Sequence, residues 1–298
     1  MTIDNQTALQ KTLHFFLTKI VIGIAVIVTS VALTEWLCRL LLDKTQLTDN
    51  TKSIIVAVLD SAIAVLTYIL LFKAYEKRRI KELSTSSFGT NAVIGFVTGL
   101  VLQSLFIAVI YIAATYSITR VNPLSTLVPS FSIALSAGFV AEILIIGVLF
   151  RLLEQQLGTT ISLLLFIFLF AILHINGKGA TLLSVCATGV QAGFMLPAAY
   201  IFSRSLWLPI FLHFNWDFAE PGIFGAINSS TSITEGWFTS KISGAALITG
   251  GQTGPQNSLQ SLILCLITGA LFLLLAKRKN NFIKPGWRMS SPKRLLNS

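Results

Sequence analysis

Residues Phe139 to Asn176 read FVAEILIIGVLFRLLEQQLGTTISLLLFIFLFAILHIN. Two apolar runs flank Gln155-Gln156-Leu157-Gly158, a polar interruption ending in glycine. The pattern predicts two helices folded back on each other at that point. Glu142 lies 16 residues before Gly158 and His174 lies 16 residues after it. At about 1.5 Å rise per residue, each stands roughly 24 Å from the shared turn. A carboxylate and an imidazole are thus expected at one depth among apolar side chains. In a bilayer such residues cost about 2.5–3.5 kcal/mol each on insertion scales. They mark either a functional site or a hydrogen-bonded pair that locks two helices together.

The rest of the chain agrees with a membrane setting. Of 298 residues, 54% are hydrophobic and 11% charged, and the mean hydropathy is +0.77. Those values predict an all-α, polytopic transmembrane bundle in the lipid bilayer. Apolar runs near 15–42, 53–72, 92–115, 130–153, 160–175, 181–203, 206–224 and 258–276 give about eight spans. The first thirteen residues are polar without a cleavage pattern, so the first run is read as an uncleaved span, with His14 and the Glu35/Arg39 pair interfacial. With the N-terminus inside, Lys and Arg number sixteen on the inner side and six on the outer, which predicts N-in and C-in. The net charge of +10 then reflects topology and anionic lipid heads; no module for nucleic acid accompanies it. Cys38, Cys186 and Cys265 are far apart in apolar segments and read as packing residues. Asp60, in the middle of the second span, is either a cavity or ion-path residue or a helix-to-helix hydrogen bond. The long connection near 225–257 reads as a lid or re-entrant segment, or as a plain flexible loop. The chain divides into N-terminal helices (1–125), a core (126–276) and a basic tail (277–298) that is expected to be disordered or surface-bound.

A third element, LWLPIFLHFNWDF from Leu206 to Phe218, adds His213 and Asp217, four apart on one helix face. Glu, His, His and Asp suit a zinc-like metal or the activation of a water. With Phe170-Ala-Ile-Leu-His174 as FxxxH and His213-Phe-Asn-Trp-Asp217 as HxxxD, the chain resembles the CPBP family, which includes type II CAAX prenyl proteases and bacteriocin-processing or immunity proteins. The resemblance runs from about Ser130 to Ala276. It implies a membrane-embedded metalloprotease in which Glu142, His174, His213 and Asp217 are catalytic. His174 and His213 would hold a divalent metal, with zinc the first candidate. The implied partner is a membrane or lipidated protein or peptide, in the plasma membrane of a bacterium.

The first family motif, EExxxR, departs from the pattern. Ala141 stands in place of the first Glu and Ile146 in place of the Arg, leaving Glu142 without its partner. Glu142 can stand in for residue 141 only through a local rotation or a π-bulge. Three readings follow: a working endopeptidase, a catalytically impaired binding, scaffold or immunity protein, and an ion-coupled transporter. One geometric conflict accompanies them all. His213 lies only about nine residues, roughly 13 Å, past the turn at Arg204. Either the Arg204–Pro209 turn sinks into the membrane, or His213 does not complete the same site.

Overall fold

The computed structural model describes residues 15–113, 116–176, 179–226 and 236–286. His14, the polar N-terminal residues and the tail beyond 286 lie outside them, as does 227–235 of the long connection. The bundle consists of α1 (Phe16–Leu42), α2 (Asp49–Glu76), α3 (Phe88–Ile112), α4 (Leu127–Glu142), α5 (Arg151–Leu157), α6 (Thr159–His174), α7 (Leu182–Val190), α8 (Leu196–Ser203), α9 (Trp207–Phe218) and α10 (Leu259–Arg278). Short π-helical stretches join α4 to α5 (Ile143–Phe150) and α7 to α8 (Gln191–Met195), and extend α9 (Ala219–Ile223). Each of the eight apolar runs is helical. Among the described residues, six helical segments are long and apolar enough to cross a bilayer; α6 is shorter, and α9 covers only 12 residues. The chain is an integral membrane protein of helical-bundle type.

The central rod is α9, which packs against α3 and α4. Small residues permit that approach. A Cβ on Gly95 would stand 2.3 Å from the Leu208 carbonyl oxygen, and one on Gly138 would stand 3.0 Å from the Phe214 nitrogen. Pro209 lies in the first turn of α9, where a missing backbone donor is tolerated. The turn before α9 is buried by the rest of the protein. Ser205 and Leu206 are buried, the Leu206 amide donates to the Glu82 carbonyl at 2.8 Å, and the Trp207 indole donates to the Ser84 carbonyl at 3.0 Å. The 77–87 connection therefore covers this end of α9.

The turn at Gly158 is present, with φ of 77° at the glycine. Beyond it, however, α6 packs on α7 and the π stretch Gln191–Met195 rather than along α4. The two helices of the opening stretch diverge because α9 occupies the place beside α4.

Two connections carry unforeseen structure. Tyr116–Val121 (β1) and Phe238–Ile242 (β2) form an antiparallel pair. Residues 246–258 turn inward through a short helix and two 3-10 turns, burying Thr253 and Gln256 to Ser258. This part of the long connection is re-entrant, not a plain loop. Nor is the start of the tail loose. Asn281 donates to the Ile201 and Phe202 carbonyls at 3.0 and 2.9 Å, and Ile283 exchanges two hydrogen bonds with Thr159.

Candidate active site

Glu142 is the last residue of α4 and is fully buried. It has a partner after all: Oε1 lies 2.7 Å from His213 Nδ1 on α9. The other ring nitrogen, Nε2, lies 3.4 Å from Asp217 Oδ2, one helical turn further on. A carboxylate–imidazole–carboxylate line thus crosses from α4 to α9. The π stretch begins at Ile143, directly after Glu142, and resets the helical register between this residue and α5. Its neighbour Ala141 lies on another side of α4, lining a groove shared with Asp60. Ile146 is sealed in the core.

His213 and Asp217 line a cavity of about 190 Å³, together with His174, Gln191, Trp216 and Gln256. His174 is exposed at the surface of the bundle, and its Nδ1 is 2.8 Å from the Phe170 carbonyl oxygen. It shares the cavity with His213 and Asp217 but is not hydrogen-bonded to Glu142, because α6 leaves α4 after the Gly158 turn. The symmetry of the two runs about Gly158 therefore does not become a contact.

Four contributors have weak sequence signals. Glu220 follows His213 and Asp217 at a spacing of 0, 4 and 7, one helix face. It is fully buried; Oε2 accepts from the Gln256 amide at 3.1 Å, while Oε1 has no hydrogen-bond partner. Gln256 in turn accepts at Oε1 from the Trp216 indole at 2.7 Å. Gln191, a lone amide in an apolar run, donates to the Gln256 carbonyl and to Ser261 Oγ. These bonds hold the re-entrant segment as one wall of the cavity. Asn215 sits on α9 between His213 and Trp216, with both side-chain polar atoms buried and unpartnered.

Among the described residues, no three His, Cys, Asp or Glu side chains form a group able to hold a metal ion. His213 Nδ1 faces Glu142 and His174 Nδ1 faces a backbone carbonyl. Contacts of this kind, from Nδ1 to a carboxylate and to a backbone carbonyl, are the ones that orient an imidazole for metal binding through Nε2.

Residues 123–219 match the family model described as Type II CAAX prenyl endopeptidase Rce1-like. The match bears out the family resemblance read from the motifs. It contains Glu142, His174, His213 and Asp217, and ends one residue before Glu220. No curated protein and no solved structure matches the chain.

Proposed function

We propose that the Rce1-like core makes this chain a membrane-embedded endopeptidase that cleaves membrane or lipidated proteins or peptides. The observation that carries the reading is the 2.7 Å contact between Glu142 and His213 at a cavity inside the matched core. At about 190 Å³ the cavity far exceeds the roughly 10–15 Å³ a water needs. Polar chemistry within a bundle requires such a water-filled space.

With its Nδ1 proton directed at Glu142, His213 presents Nε2 as the basic nitrogen. Nε2 and Asp217 Oδ2, 3.4 Å apart, both border the cavity, where a water can approach the two together. Nε2 takes a proton from that water as its oxygen attacks the peptide carbonyl. Glu142 steadies the imidazolium so formed, Asp217 orients the water, and His174 across the cavity protonates the departing amine. No step runs through a metal. Zinc on His174 and His213, the family expectation, stands as the alternative: one zinc per chain that disappears in His174→Ala would overturn the metal-free scheme. The excess of Lys and Arg on one side supports N-in and C-in in a bacterial plasma membrane, which reporter fusions after residue 276 would test.

The test is cleavage of a fluorogenic, membrane-anchored peptide by purified protein in liposomes, abolished by His213→Ala and by Glu142→Gln. A second reading rests on Ala141 and Ile146: with two of the three charged residues of the first motif gone, the core holds a membrane partner without cutting it. Co-purification of an intact partner without any cleavage would establish that reading instead.

A further inference from the structure

We propose that the groove between α1, α2 and α4 is a second ligand site, which takes a single-chain amphiphile with an ammonium-type head group. The groove measures about 780 Å³, within the roughly 300–1,000 Å³ of small-molecule sites. It exists because α1 packs along α2 and meets the π stretch Ile143–Phe150 and α5 at one end, but diverges from α4 at the other. Its walls are apolar, with Val31, Val56, Ile133, Val140, Leu144 and Ile145 contributing. Such walls suit a hydrocarbon chain.

The head group is specified by Asp60. Its side chain lines the groove at 1% exposure; Oδ2 accepts from Ser136 Oγ at 3.3 Å, and Oδ1 has no hydrogen-bond partner. A buried carboxylate oxygen without a donor is costly in a low-dielectric interior. Glu35 is a second carboxylate on the lining, and Arg39 is the one cation there. Neither Glu35 nor Asp60 forms an ion pair among the described residues. The lining is thus net acidic, and a ligand's positive charge and N–H donors complement it. Ala141 faces this groove while the adjacent Glu142 reaches His213, so a ligand here leaves the cavity beyond α4 unoccupied.

The full-length protein in lipid nanodiscs can be titrated with a spin-labelled long-chain amine, and with the corresponding alcohol and carboxylic acid. The immobilised fraction reports binding. The amine is expected to bind most tightly, and Asp60→Asn to weaken it on the order of tenfold, the scale of a charge-assisted hydrogen bond. Asp60→Glu should restore part of the loss, and Ala137→Phe, which fills the groove, should abolish binding. His213→Ala should bind like the unaltered protein whether or not the chain is a protease. Equal binding of all three probes, or unaltered binding by both Asp60→Asn and Ala137→Phe, would overturn the proposal.

Discussion

Two clusters of charge are buried in this bundle, and they are built differently. At one end, Glu76, Arg78, Glu82, Arg151 and Tyr68 form a closed network. Arg151 Nη1 is 2.9 Å from Glu76, Arg78 is 2.6 Å from Glu76 and 2.5 Å from Glu82, and Tyr68 donates to Glu82 at 2.5 Å. Every carboxylate oxygen there has a donor or cation within reach, Lys19 completing Glu76 at 3.7 Å. Around α9, by contrast, Glu142 and Glu220 each keep one buried oxygen without a partner, beside a cavity. With every carboxylate oxygen filled, and Arg151 Nη2 its one buried atom without a partner, the first network holds helices together and leaves no carboxylate available for chemistry. An unsaturated one keeps capacity for a water or a substrate, at a cost in stability.

If that contrast is right, the largest effect of a substitution should be catalytic, at the open cluster. His213→Ala or Glu142→Gln should lower the cleavage rate about 10²–10⁴-fold, the range of general acid–base catalysis, with little change in melting temperature. Comparable losses of fold and rate would erase the distinction. At the closed cluster the effect should reverse. Arg151→Met removes one side of a buried ion pair and should cost about 3–5 kcal/mol in denaturant unfolding, while protein that remains folded cleaves at the normal rate.

A smaller effect comes from pH. Burial alone would push the Glu82 carboxyl up, but the hydrogen bond and charge of Arg78, with help from Arg151 and Tyr68, hold it down at about 2, from an ordinary 4.5. A group depressed in the fold contributes its full stability above its unfolded value and loses it as pH falls through the folded one. The melting temperature should therefore decline from about pH 4.5 towards about 2. In Glu82→Gln that portion of the decline should vanish; an unchanged slope would assign the acid sensitivity elsewhere.

The smallest expected effect is at Ala141. Read as a lost catalytic base, that position should gain activity on conversion to glutamate. In the structure residue 141 faces the Asp60 groove, so Ala141→Glu should leave the rate of peptide cleavage where it was. A clear gain would show that α4 can rotate about its π stretch.

The helices were legible because each apolar run is long enough to declare itself. Motif spacing also named Glu142, His174, His213 and Asp217 as candidates. Their relations were less legible. The sixteen inner-side Lys and Arg of the charge count include Lys73 to Lys81, Arg151 and Arg204. Of these, Arg151 is buried against Glu76, and Arg204, in the connection between α8 and α9, pairs with Glu154 at 2.7 Å. Linear charge counts cannot separate a solvated cation from one folded under a helix end. Glu220 shares the face of His213 and Asp217 but falls just past the motif, and Gln256 gains its place only from a connection that turns inward.

By itself, then, the sequence determined the class of the molecule, the positions of its helices and the stretch that matches a family model, since hydrocarbon burial and helix period act over neighbouring residues. Only the tertiary structure decided which side chains meet. Gly95 and Gly138 admit α9 beside α4, the divergence of α6 moves His174 to the open side of the cavity, and Glu142 is left to His213. Those outcomes depend on packing between segments dozens of residues apart, where a single close backbone approach selects one contact over another.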